Sequence, residues 1–181
     1  FRPDVMTLDV ELPKMSGIEF IRRLLPQYYI PIVCVSALND NVFDALEAGA
    51  VDFVNKPSGM TAKAVEDFVL RELNTKIKIA SMAKPRVIQE NQRHTALAAN
   101  ASGNDRVIAI GASTGGTEAI YDVIKNFGQN IPGVVVVQHM PPVFTAMYAE
   151  RLNRQCLVNV KEAKDGDYVR RGQVLIAPGD K

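Results

Sequence analysis

The chain has 181 residues, 47% hydrophobic and 23% charged, with a net charge of +1; this ordinary balance excludes collagenous, low-complexity and strongly disordered classes. It offers no broad basic field for nucleic acid, no apolar run near the roughly 20 residues of a membrane helix, and no charged-then-apolar leader at its start. Two cysteines, Cys34 and Cys156, make no disulfide framework, and a reducing cytoplasm is the expected compartment. The chain opens on Phe1-Arg2-Pro3-Asp4 and closes on a turn-like Ala177-Pro178-Gly179-Asp180-Lys181, so it is expected to be a piece of a longer protein.

In chain order, Val5, Met6, Leu8 and Val10 form a short apolar run that ends at Asp9, Glu11 and Pro13. Ile18, Phe20, Ile21, Leu24 and Leu25 then recur at helical spacing. Residues 30–35 are rich in β-branched side chains and predict a buried strand, with Cys34 as a small hydrophobe within it. Val42, Phe43, Leu46 and Ala48 predict a helix stopped at Gly49. A short strand at 50–54 closes on Lys56-Pro57, and residues 62–80 predict a helix with Val65, Phe68, Val69, Leu73 and Ile77 on one face. This alternation predicts a parallel sheet covered on both sides. Residues 81–105 carry Pro85 and an Ala-Leu-Ala-Ala-Asn-Ala-Ser-Gly-Asn stretch without a strand period or a sustained apolar face, and read as a linker. From Arg106 the alternation restarts: a strand at 107–110, a glycine-rich turn at 111–116, a helix at 117–127, an apolar strand at 134–137 followed by Gln138-His139, a helix through 144–152, and short strands across 157–177 with turns at Asp165-Gly166 and Arg171-Gly172. The organisation expected is one α/β domain over 1–80, a linker over 81–105 and a second α/β domain over 106–181.

The first half places Asp9, Ser36 and Lys56 at the ends of successive strands, where ligands of an open parallel sheet gather. A carboxylate there can attack a phosphoryl donor, while a hydroxyl and an ammonium bind the new phosphate oxygens. Mg²⁺ would neutralise charge through oxygen ligands. Taken singly, each residue also fits a turn, a cap or a solvated surface.

In the second half, Gly111-Ala112-Ser113-Thr114-Gly115 matches G-x-S-x-G between a strand and a helix, the context that exposes a serine hydroxyl on a sharp turn. The helix N-terminus offers N–H groups and a positive dipole end to an oxyanion. His139 follows the next apolar strand and would supply the base that a neutral serine needs; His94, in the linker, reads as solvated. The same glycine-rich turn could instead cradle phosphate, so a non-catalytic phosphate-binding domain stays open, although neither G-x-G-x-x-G nor G-x-x-x-x-G-K-[ST] is present. Asp122 falls between Ser113 and His139 but lies in a helix away from the rim, which departs from the chain order of common α/β-hydrolases.

The stretch from Asp4 to Pro13 with Gly17 resembles the phosphoacceptor segment of response-regulator receiver domains. Val35-Ser36-Ala37 resembles their switch hydroxyl and Asn55-Lys56-Pro57 their lysine-proline turn. That resemblance implies phosphorylation on Asp9, a switch formed by Ser36, Phe53 and Lys56, and Mg²⁺ held partly by Asp9 and the Glu11 carbonyl. The acidic pair of such domains belongs to an earlier strand not found here. The segments 108–119 and 138–142, with 163–180, resemble the nucleophile, histidine and following regions of CheB-type chemotaxis methylesterases. The resemblance spans essentially the whole chain. It implies a receiver-like, flavodoxin-like parallel-sheet domain followed by a Rossmann-like α/β hydrolytic domain, both truncated. It also implies hydrolysis of glutamate methyl esters, and deamidation of certain glutamines, in cytoplasmic chemoreceptor regions. Ser113 would be the nucleophile, His139 the base and Thr114 a supporting residue, with no cofactor for hydrolysis. A chemotaxis histidine kinase would be the phosphodonor; nucleic acid and membrane insertion are not expected. The family's triad aspartate and oxyanion-hole methionine would lie beyond the position of Lys181, so these 181 residues by themselves are expected to show little activity.

Overall fold

The computed structural model describes residues 2–37, 41–57, 61–83 and 106–180. The chain divides into two compact units, Phe1–Ile88 and Gln89–Lys181. Residues 84–105 of the expected linker, His94 among them, lie outside the described residues.

The first unit is built on a three-stranded parallel sheet, β1 (Met6–Asp9), β2 (Ile32–Ser36) and β3 (Asp52–Asn55), in that order. The β-branched run makes β2 its centre: Ile32 and Val33 are fully buried, and so is Cys34, whose thiol burial pushes up to about 12. Helix α1 (Gly17–Leu24) starts at Ser16, whose hydroxyl accepts the Glu19 N–H at 3.2 Å, a cap that satisfies one of the free donors of the first turn. Helix α2 (Asn41–Glu47) buries Val42, Phe43, Ala45 and Leu46 and gives way to Gly49 at φ +118°, a conformation that glycine adopts without strain.

The long helix of the first unit departs from the expectation. It is α3 (Ala62–Asp67), a π-helical stretch Phe68–Leu73, and α4 (Asn74–Ala80). Phe68, Leu73 and Ala80 pack with Val33 and Val54, and Ile77 is half-buried, but Val65 and Val69 are exposed. A π turn closes i→i+5 bonds instead of i→i+4. The wider turn rotates the inward face, so a stripe drawn at uniform 3.6-residue spacing over 62–80 does not stay on one side.

The second unit holds a four-stranded sheet in the order β4 (Val107–Ala112), β5 (Gly133–Gln138), β7 (Gln173–Ile176), β6 (Asn159–Glu162), all parallel. Helices α5 (Gly116–Ile124) and α6 (Pro142–Gln155) bring Ile120, Ile124, Phe144, Tyr148 and Leu152 into a core with Val134, Val136, Val174 and Ile176. The β6–β7 connection turns at Gly166 (φ +82°) and Gly172 (φ +70°). Double-sided cover does not extend to β4: it is one of the two edge strands, its residues alternate exposed and half-buried, and none is buried. Among the described residues only one of its faces is packed.

Candidate functional site

The catalytic candidates come together through strand register. Ala112 pairs with Gln138 across β4 and β5, and the His139 N–H donates to the Ala112 carbonyl at 3.2 Å. The ladder therefore runs one residue past β5, so that Ser113 and His139 leave neighbouring strands at the same edge; both are exposed. After Ser113 the chain reverses into α5. The Ser113 carbonyl accepts the Gly116 N–H at 2.7 Å, and Gly115, capping the helix, takes φ +73°, a left-handed position that favours glycine. A Cβ on Gly116 would lie 2.7 Å from the Ala112 Cβ and 2.2 Å from the Gln138 Oε1. Gly111, in contrast, has none of the described residues against the place of a Cβ; of the two glycines in the sequence pattern, it is the second that takes a left-handed backbone conformation. Thr114 sits half-buried in the turn itself.

The supports of this edge are buried. The Tyr148 hydroxyl donates to the Thr117 carbonyl at 2.6 Å, and burial holds that phenol well above its ordinary range. Arg151 of α6 pairs with Glu118 in the first turn of α5 at 3.2 Å, the side chains 8% and 13% exposed, so the helix N-terminus is tied to α6 twice. The His139 segment is fixed from the other side. A Cβ on Gly179 would lie 2.5 Å from the Met140 carbonyl oxygen, and the Gly179 N–H donates to the Thr145 hydroxyl at 3.3 Å. That hydroxyl lies 2.5 Å from Glu162 Oε1. Asp122 and Asp167 are engaged elsewhere, with Lys125 at 2.7 Å and Lys161 at 2.5 Å.

In the first unit Asp9 ends β1, level with Val35, and Ser36 ends β2 opposite Asn55. The Lys56 N–H donates to the Ser36 carbonyl at 2.8 Å, and the Lys56 ammonium pairs with the Asp9 carboxylate. Burial alone would raise the Asp9 carboxyl, but the Lys56 hydrogen bond and the Glu11 N–H, at 3.1 Å, outweigh it and hold the group below its ordinary value. The three side-chain candidates thus occupy adjacent strand ends. Gly17 keeps the rim tight: a Cβ there would lie 2.4 Å from the Asp9 carbonyl oxygen. Phe53 is buried, edge-on to Phe43 at 6.3 Å between centroids, and in this state packs as a core residue. Among the described residues no group of three or more His, Cys, Asp or Glu could hold a metal ion. Asp9 is engaged by Lys56 and Glu11, and the described residues do not by themselves form a Mg²⁺ site.

Sequence reasoning gave Gln138 and Tyr148 no role. The only signal for Gln138 is a polar residue closing the otherwise apolar run Val134–Val137; for Tyr148 there is none, because an aromatic on a helix reads as core. Among the described residues no helix is long and apolar enough to cross a membrane.

Residues 108–181 match the family model described as CheB methylesterase, and residues 1–65 that of the response regulator receiver domain. A protein-glutamate methylesterase/protein-glutamine glutaminase 2 of Syntrophomonas wolfei is 57% identical over 180 residues, covering 99% of this chain and 52% of that protein. A protein-glutamate methylesterase/protein-glutamine glutaminase of Syntrophotalea carbinolica is 49% identical over 189 residues, covering 98% of this chain and 53% of that protein. The crystal structure of the Thermotoga maritima CheB methylesterase catalytic domain aligns at 47% identity over 43% of this chain and 42% of that one, with a TM-score of 0.41. The chain spans about half the length of the curated relatives it matches.

Proposed function

Residues 108–181 belong to the CheB methylesterase family and residues 1–65 to the response regulator receivers, and from that premise we propose that the protein is a phosphorylation-controlled protein-glutamate methylesterase and protein-glutamine glutaminase. Its substrates are glutamate methyl esters, and certain glutamines, on cytoplasmic regions of chemoreceptors. The observation that carries the reading is the ladder bond from His139 to Ala112, which supports Ser113 and His139 acting at one edge.

In the first step the Ser113 Oγ attacks the ester carbonyl carbon while His139 takes the hydroxyl proton. The resulting oxyanion faces the N-terminal turn of α5, where N–H groups and the dipole favour negative charge. Collapse breaks the ester C–O bond, and His139 returns the proton to the departing methoxide, releasing methanol. Water then attacks the acyl-serine with His139 as base, and the free glutamate leaves. With a glutamine substrate the leaving group is ammonia. Thr114 supports the turn between nucleophile and helix. In the receiver, the Asp9 carboxylate accepts the phosphoryl group from a histidine kinase, and Ser36 and Lys56 bind the phosphate oxygens, with Phe53 responding beneath them. The compartment consistent with these partners is the cytoplasm.

The test is methanol release from methylated receptor membranes by the full-length protein. Ser113→Ala and His139→Ala should each remove most of the activity, and the double variant should add little, because such residues act as a unit. Normal release by Ser113→Ala would overturn the nucleophile. Asp9→Asn should abolish labelling by acetyl phosphate; undiminished labelling would point to another acceptor.

A further inference from the structure

We propose that Gln138 is a positioning residue that couples the turn carrying Ser113 to the segment carrying His139; the inference rests on the hydrolase reading above. Gln138 is 8% exposed at the end of β5. Its Nε2 donates to the Ser113 carbonyl at 2.9 Å and lies 3.4 Å from the His139 carbonyl oxygen. The orientation is set by chemistry: turned over, the amide would place its own oxygen against the Ser113 carbonyl, acceptor against acceptor. In the orientation found, Oε1 is buried and has no hydrogen-bond partner among the described residues, beside Gly116.

A buried amide with one end unsatisfied is unfavourable for stability. A methionine would fill nearly the same volume without that penalty, so packing alone does not explain an amide here. What the amide supplies is a donor that reaches from the strand leading to the base onto the backbone of the nucleophile. The Ser113 carbonyl also accepts the Gly116 N–H at 2.7 Å. Two donors from different elements then fix one peptide plane, and that plane determines where the Ser113 side chain points. Both exposed side chains depend on backbone placement, and an error of about 1 Å at a reacting group is worth on the order of 100-fold in rate.

The experiment uses the full-length protein, with methanol release from methylated receptor membranes measured across the neutral pH range. Gln138→Met removes the donor at similar volume, and kcat should fall by roughly 10- to 100-fold with KM little changed. Gln138→Glu keeps the shape and makes donation depend on protonation. As the neutral acid it donates to the Ser113 carbonyl; as the carboxylate it repels it. Its rate relative to the native protein should therefore fall as pH rises through the pKa of the new acid. This ratio is read within one folded variant, so it stands even where the methionine variant fails to fold. A native kcat for Gln138→Met, or a relative rate for Gln138→Glu that is flat with pH, overturns the proposal. Absence of methanol release by the native protein would refute the hydrolase reading instead, and the two failures are distinct.

Discussion

Two lysine–aspartate pairs in the first unit have the same chemistry and different surroundings, and their removal should separate widely in energy. Lys76 and Asp52 lie 2.8 Å apart with side chains 17% and 8% exposed, whereas Lys56 and Asp9 are 44% and 31% exposed. Lys76→Met leaves the Asp52 carboxylate in the interior, where the Phe53 N–H at 2.7 Å remains; breaking a buried pair in this way costs about 3–5 kcal/mol. The ammonium also sits 5.3 Å from the centre of the Phe53 ring, worth about 0.5–1 kcal/mol more. Lys56→Met removes a pair that solvent screens, at about 0–1 kcal/mol. Its pH dependence has a defined sign. The Asp9 carboxyl is held below its ordinary 3.8, so this stabilisation is complete above 3.8 and is lost as pH falls through the folded-state value. The deficit of Lys56→Met should therefore vanish in strong acid. Urea denaturation followed by circular dichroism, with the midpoint compared at constant slope, measures both variants. Equal shifts, or a Lys76→Met shift below about 1 kcal/mol, would show that water reaches Asp52 and that burial does not govern the difference.

Two further substitutions address the supports of the two rims. Gly17→Ala forces a methyl group against the Asp9 carbonyl and should cost about 1–3 kcal/mol while slowing acetyl-phosphate labelling, read by denaturation and by labelling rate. Tyr148→Phe removes the donor to the Thr117 carbonyl and should lower stability by about 1 kcal/mol, read as a shift in denaturation midpoint.

The strands and their parallel order were legible because strands in the interior of a parallel sheet write continuous β-branched runs, as in Ile32-Val33, buried throughout, and Val134–Val137, of which Val134 and Val136 are buried. The rim residues were legible for a related reason. A polar residue directly after such a run must sit at a strand end, and parallel strands bring their ends to one side, so Asp9, Ser36 and Lys56 could be grouped, and likewise Ser113 with His139, before any register was known. The helix over 62–80 was legible as a helix but not in its facing. A π turn leaves no composition signal, and it is the exposure of Val65 and Val69, beside Phe68 and Leu73 packed against Val33 and Val54, that departs from the expected face.

What escaped the sequence are interactions whose two ends are far apart in the chain and chemically unremarkable at each. Tyr148 reads as core, and it is core; its function in the fold lies in the hydroxyl that reaches the Thr117 carbonyl. Gln138 reads as a strand end, and its amide matters because the β4–β5 register sets Ala112 opposite it and so brings the Ser113 carbonyl within its reach. Gly111 shows the converse: the pattern singles it out, and none of the described residues lies against the place of its Cβ, whereas Gly116, outside the pattern, is closed in by Gln138 and Ala112. The turn that presents Ser113 is thus fixed by Gly115, Gly116 and the side chain that closes β5. A sequence pattern confined to the turn itself captures only part of what holds Ser113.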